Sequence, residues 1–317
     1  WSSDVCSSDL RVHLIEVKNF GRTINPTKDI AAFFEVKKIA AAVQPDVIHL
    51  HSSKAGAIGR IAFDGKIPMF YTPHGYSFLM ENYKPMKRKL FKLIESVCAK
   101  RNCTTISCSV GENQETLKFT RRAIYVNNGI NMSELQEIID KTERVQHPFT
   151  VYTLGRICYQ KNPTLFNAIA ESLPDIKFVW IGDGELRGEL KSKNIEITGW
   201  ADRATAIQYA VNADVFLLPS RWEGLPISLL ESMYMKKVCV VSNVIGNKDV
   251  IHNNENGFVC SDTEKFVKAI RESQSGVERF TAQAYQDVLE KYNTKAMAKQ
   301  YSEKYDEAIN VCGGGTA

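Results

Sequence analysis

The sequence has no uninterrupted apolar run approaching the roughly 18 residues of a membrane span, so nothing in it reads as a transmembrane helix. It also has little net charge, +4 from 40 basic and 36 acidic residues. That balance by itself points to no nucleic-acid partner. The 8 cysteines include no CxxC pair and no zinc-ligand spacing. Cys98, Cys103 and Cys108 recur every five residues and the others are scattered, a pattern that reads as reduced, mostly buried thiols and argues against a metal site. A signal peptide is missing too. Residues 1–10 are rich in Ser and Asp, with neither a basic start nor an apolar core. They look like translated adaptor sequence and are set aside, with Cys6, as a non-native leader.

What is present is the composition of a soluble globular protein, 44% hydrophobic and 24% charged over 317 residues, a length that suits two domains. Strand patterns over 11–17, 46–50, 69–72, 104–108 and 123–126 alternate with helical ones over 30–43, 58–63 and 83–100. A further helix opens at Ser109, where Glu112 completes a capping box, and ends near Lys118. Alternation of this kind indicates parallel α/β units. A polar linker over 141–148 marks a domain boundary. The pattern then restarts, with strands over 150–154, 178–181, 195–198, 214–218 and 238–241 and helices over 163–171, 204–211 and 227–235. From residue 264 onward the chain reads as mostly helical, with a frayed Gly313-Gly314-Gly315 tail.

The most informative stretch is Pro219-Ser220-Arg221-Trp222-Glu223-Gly224-Leu225-Pro226, between the apolar run 214–218 and the helix that follows. Gly224 permits close backbone approach to a ligand, and Pro226, read as the first helical residue, leaves free amides at the helix mouth. Such a mouth suits an anion, most simply phosphate. Glu231 lies about one turn into the helix, and helical side chains lean toward the N-terminus, so its carboxylate can return toward the mouth beside Glu223. The bland alternative for Glu231 is a first-turn acid favouring the helix dipole, worth about 0.3–1 kcal/mol.

Loops at the carboxyl ends of strands converge on one crevice in a doubly wound sheet. Gly155-Arg156, Gly182-Asp183-Gly184, Gly199-Trp200 and the loop carrying Ser220, Gly224, Leu225 and Pro226 are therefore expected to meet. Arg156 and Lys161 add positive charge, and the crevice suits a diphosphate. Alone, Arg156 reads equally well as a surface ion pair worth about 0–1 kcal/mol. Glu231 is assigned to a ribose, because a carboxylate can accept from two neighbouring hydroxyls; Glu223 is better placed for sugar hydroxyls. In the first half, His49 reads as buried in its strand and His51 stays undecided, whereas His74, in a Pro-His-Gly turn at a strand end, reads as functional. The helix bearing Lys84, Lys87, Arg88, Lys89 and Lys92 is either a solvated face or, with Met86, Leu90, Phe91 and Leu93, a surface for anionic lipid headgroups.

These residues carry a resemblance. Glu223 and Glu231 form the E-x7-E pair of retaining family-4 glycosyltransferases, and Asn128-Gly129, Gly155-Arg156 with Lys161, Gly182-Asp183-Gly184 and Gly246-Asn247 fall in that family's order. The segments 46–56 and 71–75 look like the branch that builds bacterial capsule and exopolysaccharide. The pair alone is weak; its ordered companions, spread from residue 11 to about 309, make it specific. The resemblance implies an α/β protein of the GT-B fold, with two Rossmann-like doubly wound parallel-sheet domains facing a cleft. It divides the chain into an incomplete acceptor-side domain over 11–145, a nucleotide-sugar donor domain over 146–290, and a crossing helix with tail over 291–317. It further implies transfer of a sugar from a nucleotide diphosphate, a UDP-sugar, to a polyprenyl-diphosphate-linked or polysaccharide acceptor, with retention and without metal or cofactor. In that scheme His74, Arg156, Lys161 and Glu223 are catalytic, the cations stabilising the departing diphosphate. His51, Ser52 and Lys54 face the acceptor. The expected location is cytoplasmic, peripheral on the inner face of the plasma membrane.

Competing readings are a nucleotide-sugar epimerase of similar fold and a nucleotide-sugar-binding module without turnover. A glycoside hydrolase would need no phosphate cradle. One departure from the family stands out: nothing before Arg11 supplies its opening strand and Gly-rich loop. That implies an N-terminally truncated fragment, expected to be inactive or unstable through exposed sheet edges.

Overall fold

The computed structural model describes residues 12–21 and 23–313. The leader, Arg11 and the tail at 314–315 lie outside the described residues. The first unit begins with α1 (Pro26–Val43), which starts where Asn25 accepts from the Lys28 amide and Pro26 occupies the first turn. Strands β1 (Ile48–His51), β2 (Met69–Thr72), β3 (Thr104–Ser107) and β4 (Ala123–Tyr125) follow, all parallel and in that spatial order. Between them run α2 (Ser53–Ala62), α3 (Pro85–Cys98) and α4 (Val110–Leu117).

This layer is pinned by a charge pair inside its core. Arg60 on α2 bonds Glu95 on α3 at 2.7 Å, Tyr71 on β2 donates to the same carboxylate at 2.9 Å, and the guanidinium lies 4.1 Å from the Tyr71 ring centre. Gly56 lets the helix approach: a Cβ there would sit 2.2 Å from the Tyr71 ring. Arg60 is 1% exposed, so Glu95→Ala would strand a buried cation. A loss of about 3–5 kcal/mol is expected in denaturant unfolding; a loss under about 1 kcal/mol would show that the pair does not organise this layer.

The second unit contains a parallel six-stranded sheet ordered β10-β9-β8-β5-β6-β7. Its strands are β5 (Thr150–Leu154), β6 (Lys177–Ile181), β7 (Ile195–Ile197), β8 (Val215–Leu218), β9 (Val238–Ser242) and β10 (Phe258–Cys260). Its helices are α5 (Met132–Lys141), α6 (Pro163–Glu171), α7 (Arg203–Val211), α8 (Ile227–Tyr234), α9 (Thr263–Glu272) and α10 (Glu278–Lys291). The winding reverses between β5 and β8, where ligands bind in open α/β sheets. Fully buried runs such as Val-Phe-Leu-Leu in β8 reflect helices covering both faces.

Helix α5 precedes the linker but packs Leu135 into the core of the second unit. Helix α11 (Thr294–Gly313) returns to the first sheet, where Met297, Tyr301, Tyr305 and Ala308 pack on Phe70, Ile106 and Val126. The two crossings are zipped together: Ile130 donates to Tyr292 at 3.0 Å and accepts from Thr294 at 2.9 Å.

Several local expectations change. Residues 12–17 form no strand; Val12 and Leu14 are exposed and have no neighbouring strand to complete a ladder. Helix α2 starts at Ser53 rather than near Ile58, because Ser52 turns the chain sharply at φ 76° and the helix nucleates at once. The capping box at Ser109 is half-formed. Ser109 accepts from the Glu112 amide, but the Glu112 carboxylate goes to Cys108 and Gly75 instead. Pro226 is the residue before the helix, extended at ψ 124°, and Ile227 is the first helical one. Helix α5 and strand β10 have no counterpart in the sequence reading.

Candidate active site

The reversal between β5 and β8 carries a cavity of about 380 Å³, lined in part by Gly155, Arg156, Lys161, Glu223 and Pro226. All five are residues the sequence singled out. Helix α8 opens on this cavity without a side-chain cap, so its first amides remain available to an anion. Lys161 reaches Glu223 at 2.8 Å, and Gln160 donates to the other carboxylate oxygen at 3.2 Å. Glu223 is thus a buried acid held on one side by a cation. Arg156 meets Glu185 at 2.9 Å in a solvent-exposed pair, which little resists its turning to a ligand.

Other assigned residues support this pocket or lie beside it. A Cβ at Gly182 would meet the Gly155 carbonyl oxygen at 2.3 Å, and one at Gly184 the Ile157 carbonyl oxygen at 2.3 Å, so these glycines let the two loops stack. Asp183 pairs with Arg187 at 2.8 Å. Gly199 bridges to Gly182, and Trp200 stands 66% exposed outside the cavity. Ser220 is buried, with its carbonyl accepting from Ser242, and Leu225 fills the core. Lys54 is a correction. Its ammonium binds the Gly21 and Thr23 carbonyls and Asp29, securing the N-terminal segment rather than facing a cleft. Ser52 serves the turn into α2.

Glu231 is also placed differently from expectation. It is 2% exposed and sits behind Arg203, whose guanidinium reaches it at 2.8 Å and reaches Glu134 on α5 at 3.0 Å. Burial raises the Glu231 pKa, and Arg203 opposes that rise. Arg203 itself lines the cavity. Sequence reading missed it because it lies on α7 in an ordinary helical context; its only signal was position, in the first turn after the Gly199-Trp200 loop.

The first unit reaches the site through the Pro-His-Gly turn. His74 and Gly75 both have positive φ, 53° and 91°, and this tight turn brings backbone against Gly224. A Cβ on Gly224 would lie 3.2 Å from the Gly75 nitrogen. Glu112, 1% exposed, holds the turn by accepting from Gly75 at 2.6 Å and from Cys108 at 2.8 Å. Asp249 links the units, accepting from Gly111 at 2.9 Å and Gly246 at 3.1 Å, and Asn128 donates to the Leu225 carbonyl at 2.9 Å. Neither Glu112 nor Asp249 was foreseen as part of the site, since each joins a near neighbour in sequence, Cys108 or Gly246, to a distant one, Gly75 or Gly111.

His74 bonds His51 at 2.9 Å. Both rings open on the cleft, yet its walls strip enough water to lower both pKa values, that of His74 to about 4. His49, behind them, is lowered to about 3 by burial and by its two neighbours.

Two parallel α/β units meeting at their strand ends, with a cavity at the switch point of one, form the GT-B fold. Residues 148–274 match the family "Glycosyl transferases group 1", and residues 3–126 match "Glycosyl transferase 4-like domain". The chain is similar to the UDP-Gal:alpha-D-GlcNAc-diphosphoundecaprenol alpha-1,3-galactosyltransferase of Escherichia coli, with 31% identity over 83% of this chain and 75% of the relative. Among solved structures it resembles a sucrose-phosphate synthase from Thermosynechococcus elongatus, with TM-score 0.79 and 15% identity over 94% of this chain and 83% of that one. It also resembles Anabaena HepE in complex with UDP and glucose, with TM-score 0.72 and 15% identity over 90% and 84%. The chain belongs to the family-4 group-1 glycosyltransferases and is a glycosyltransferase enzyme; its relatives include a capsular polysaccharide biosynthesis glycosyltransferase of Staphylococcus aureus, 24% identical over 77% of this chain and 72% of the relative.

The depressed histidines give a pH signature. Unfolded, they titrate near 6.5; folded, they bind fewer protons. Their contribution to stability is complete above about pH 6.5 and declines as pH falls toward 3. Thermal unfolding midpoints should drop between about pH 6.5 and 5, before most carboxylates protonate, and His49→Gln should flatten that drop. Parallel slopes for wild type and variant would contradict the assignment.

Proposed function

We propose that the cleft transfers a sugar from a UDP-sugar to a lipid-linked, diphosphate-bearing glycan acceptor, with retention of anomeric configuration and without a metal. The observation that carries this reading is the switch-point cavity, where Arg156, Lys161 and the uncapped start of α8 surround space for a diphosphate. Support for the donor and acceptor comes from the E. coli relative, named for UDP-Gal and a diphosphoundecaprenol acceptor, and from the UDP bound in HepE.

The donor diphosphate displaces the Lys161 ammonium from Glu223 and takes it, together with Arg156, as counter-charge. As the sugar–phosphate bond breaks, negative charge accumulates on the departing β-phosphate, and these cations with the α8 amides stabilise it where another enzyme would use a metal. Glu223, released from Lys161, is free to accept from hydroxyls of the transferred sugar. Arg203 stands between Glu231 and the cavity, so the proposed ribose contact of Glu231 requires that arginine to swing aside.

The direct test is acceptor-dependent release of UDP by the purified protein. Lys161→Met should lower kcat by about 10²-fold or more; because it leaves the buried Glu223 without its cation it should also lower the unfolding midpoint, so activity is measured well below that midpoint. Donor conversion without acceptor would indicate an epimerase, and binding without release a non-catalytic module; either would overturn the proposal.

The membrane side of the proposal rests on α3. Met86, Leu90, Leu93 and Val97 form an exposed stripe at helical spacing, 84%, 53%, 60% and 56% exposed, beside Lys87 and Lys89. No helix among the described residues is long and apolar enough to cross a membrane; the apolar stripe flanked by lysines is the feature from which we infer docking in an anionic headgroup layer. Arg88 is committed to the Phe78 carbonyl at 2.8 Å. The test therefore uses Lys87→Gln with Lys89→Gln: vesicle affinity in sedimentation with anionic vesicles should weaken about thirtyfold, at about 1 kcal/mol per charge, and unchanged sedimentation would refute docking by this face.

A further inference from the structure

At the far end of α8 from the donor cavity lies another cavity, of about 470 Å³. The first residues of that helix, Ile227 and Ser228, line the donor side; its last, Tyr234, lines this one together with Lys236 and Lys237 just beyond. At about 1.5 Å per residue, the 8 residues of α8 hold the two sites about 12 Å apart. Lys237 immediately precedes β9, so the cavity lies at the amino ends of the strands, on the edge of the sheet opposite to the cleft. Arg144 from the linker, Gln136 on α5 and Tyr285 on α10 supply further wall. We propose that this cavity is a second ligand site, for a small organic molecule bearing a phosphate group, with Arg144, Lys236 and Lys237 holding the phosphate and the two tyrosines flanking the organic part.

The cations are gathered without matching acids. Among the described residues, no Asp or Glu lines the cavity. Two carboxylates act on its wall from behind, Asp214 on Lys237 and Asp140 on Tyr234, and both are committed. Asp214 accepts from the Thr150 amide at 2.8 Å, and Asp140 from Gln136 at 2.7 Å. Lys237 donates to the Val211 carbonyl at 2.8 Å and to the Ala213 carbonyl at 2.5 Å, which closes the carboxyl end of α7. Two of its three ammonium protons are thereby used and one remains. Capping accounts for Lys237 but not for its companions, since neither Arg144 nor Lys236 forms an ion pair among the described residues. Lys236 also occupies left-handed backbone, φ 56°, a position after a helix that favours glycine. Its ammonium lies 4.6 Å from the centre of the Tyr285 ring, a contact that keeps both charge and N–H donors available.

Electrostatics and size then select the ligand. Burial lowers the Lys237 pKa to about 8; Asp214 opposes that fall and Arg144 adds to it. An anion seated between Arg144 and Lys237 would offset both the lost hydration and the mutual repulsion. A phosphate monoester brings a charge of about −1.5 to −2 and three acceptor oxygens, which suits one guanidinium and two ammonium groups. The volume falls within the roughly 300–1,000 Å³ of small-molecule sites, so there is room for more than the anion. Tyr234 and Tyr285, with ring centres 5.3 Å apart, offer aromatic surface beside the cations.

The test is calorimetry on the full chain with UDP present to fill the donor cavity, titrating glucose 1-phosphate and adenosine 5′-monophosphate against glucose, adenosine and inorganic phosphate. At least one phosphorylated probe should bind about tenfold or more tighter than both its unphosphorylated form and inorganic phosphate. Arg144→Gln with Lys236→Gly should weaken that binding about tenfold or more and leave UDP affinity within about twofold. Glycine suits the left-handed backbone at 236, so the unfolding midpoint should not fall. Failure of both phosphorylated probes to bind, equal binding of a probe and its neutral form or of inorganic phosphate, or binding indifferent to the double variant would each overturn the proposal. The difference between wild type and variant can be read with or without UDP, so failure of UDP itself to bind would count against the glycosyl-transfer reading alone.

Discussion

The site depends on one close backbone approach, that of the Pro-His-Gly turn of the first unit to the Gly224 loop of the second. A Cβ on Gly224 would lie 3.1 Å from the Cys108 sulfur and 3.2 Å from the Gly75 nitrogen, and one on Gly246 would lie 2.2 Å from the Gly224 carbonyl oxygen. Three loops are stacked at contact distance, with no room for a side chain between them. Two carboxylates hold the stack: the buried Glu112 grips Gly75 and Cys108, and the half-buried Asp249 grips Gly111 and Gly246. Glycine removes the steric barrier and charge-assisted hydrogen bonds fix the geometry. The His74–Gly75 turn and the Gly224 loop become neighbours in consequence, though they follow strands of different sheets.

From this junction the cleft divides by charge. On the β5–β8 side, Arg156, Lys161, Arg203 and the α8 mouth make a cation-rich pocket, with Glu223 in its wall. On the β1–β2 side, imidazoles and phenols make an uncharged one. The returning helix α11 builds that second wall: Tyr305 reaches His49, and Tyr301 lies 5.6 Å ring to ring from it. Its role therefore goes beyond covering the first sheet. The zipped crossings at Ile130 and Asn293 tether the units by the two chains that join them, leaving the Asp249 and Asn128 bonds as the contacts that closure would make and opening would break.

Much of this was legible in sequence, for identifiable reasons. Strands such as Met69–Thr72 and Thr150–Leu154 are short apolar runs bounded by polar turns, and the structure begins and ends them at the residues expected. Glycine and proline punctuation located loops that line the β5–β8 cavity, because those residues are selected by backbone geometry that sequence records directly. Partnerships across the fold were not legible. Lys54 looks like a site lysine until its carbonyl partners are seen, and Glu231 points toward the mouth by helical geometry but is held behind Arg203. Residues 12–17 have strand composition without a strand to pair with, and composition alone cannot supply a hydrogen-bonding neighbour. Glu112 resembled a cap residue because local spacing suggested the nearest amide, whereas the folded chain offered two better ones.

The central claim is that a nucleoside diphosphate sits at the β5–β8 switch point between Arg156, Lys161 and the start of α8, with its transferable sugar toward His74. A crystal structure of the protein with UDP tests it most directly. The account predicts the diphosphate within hydrogen-bonding distance of Lys161 and the α8 amides, with the Lys161–Glu223 contact broken. A diphosphate bound elsewhere, or bound with that contact intact and Arg156 still on Glu185, would contradict it.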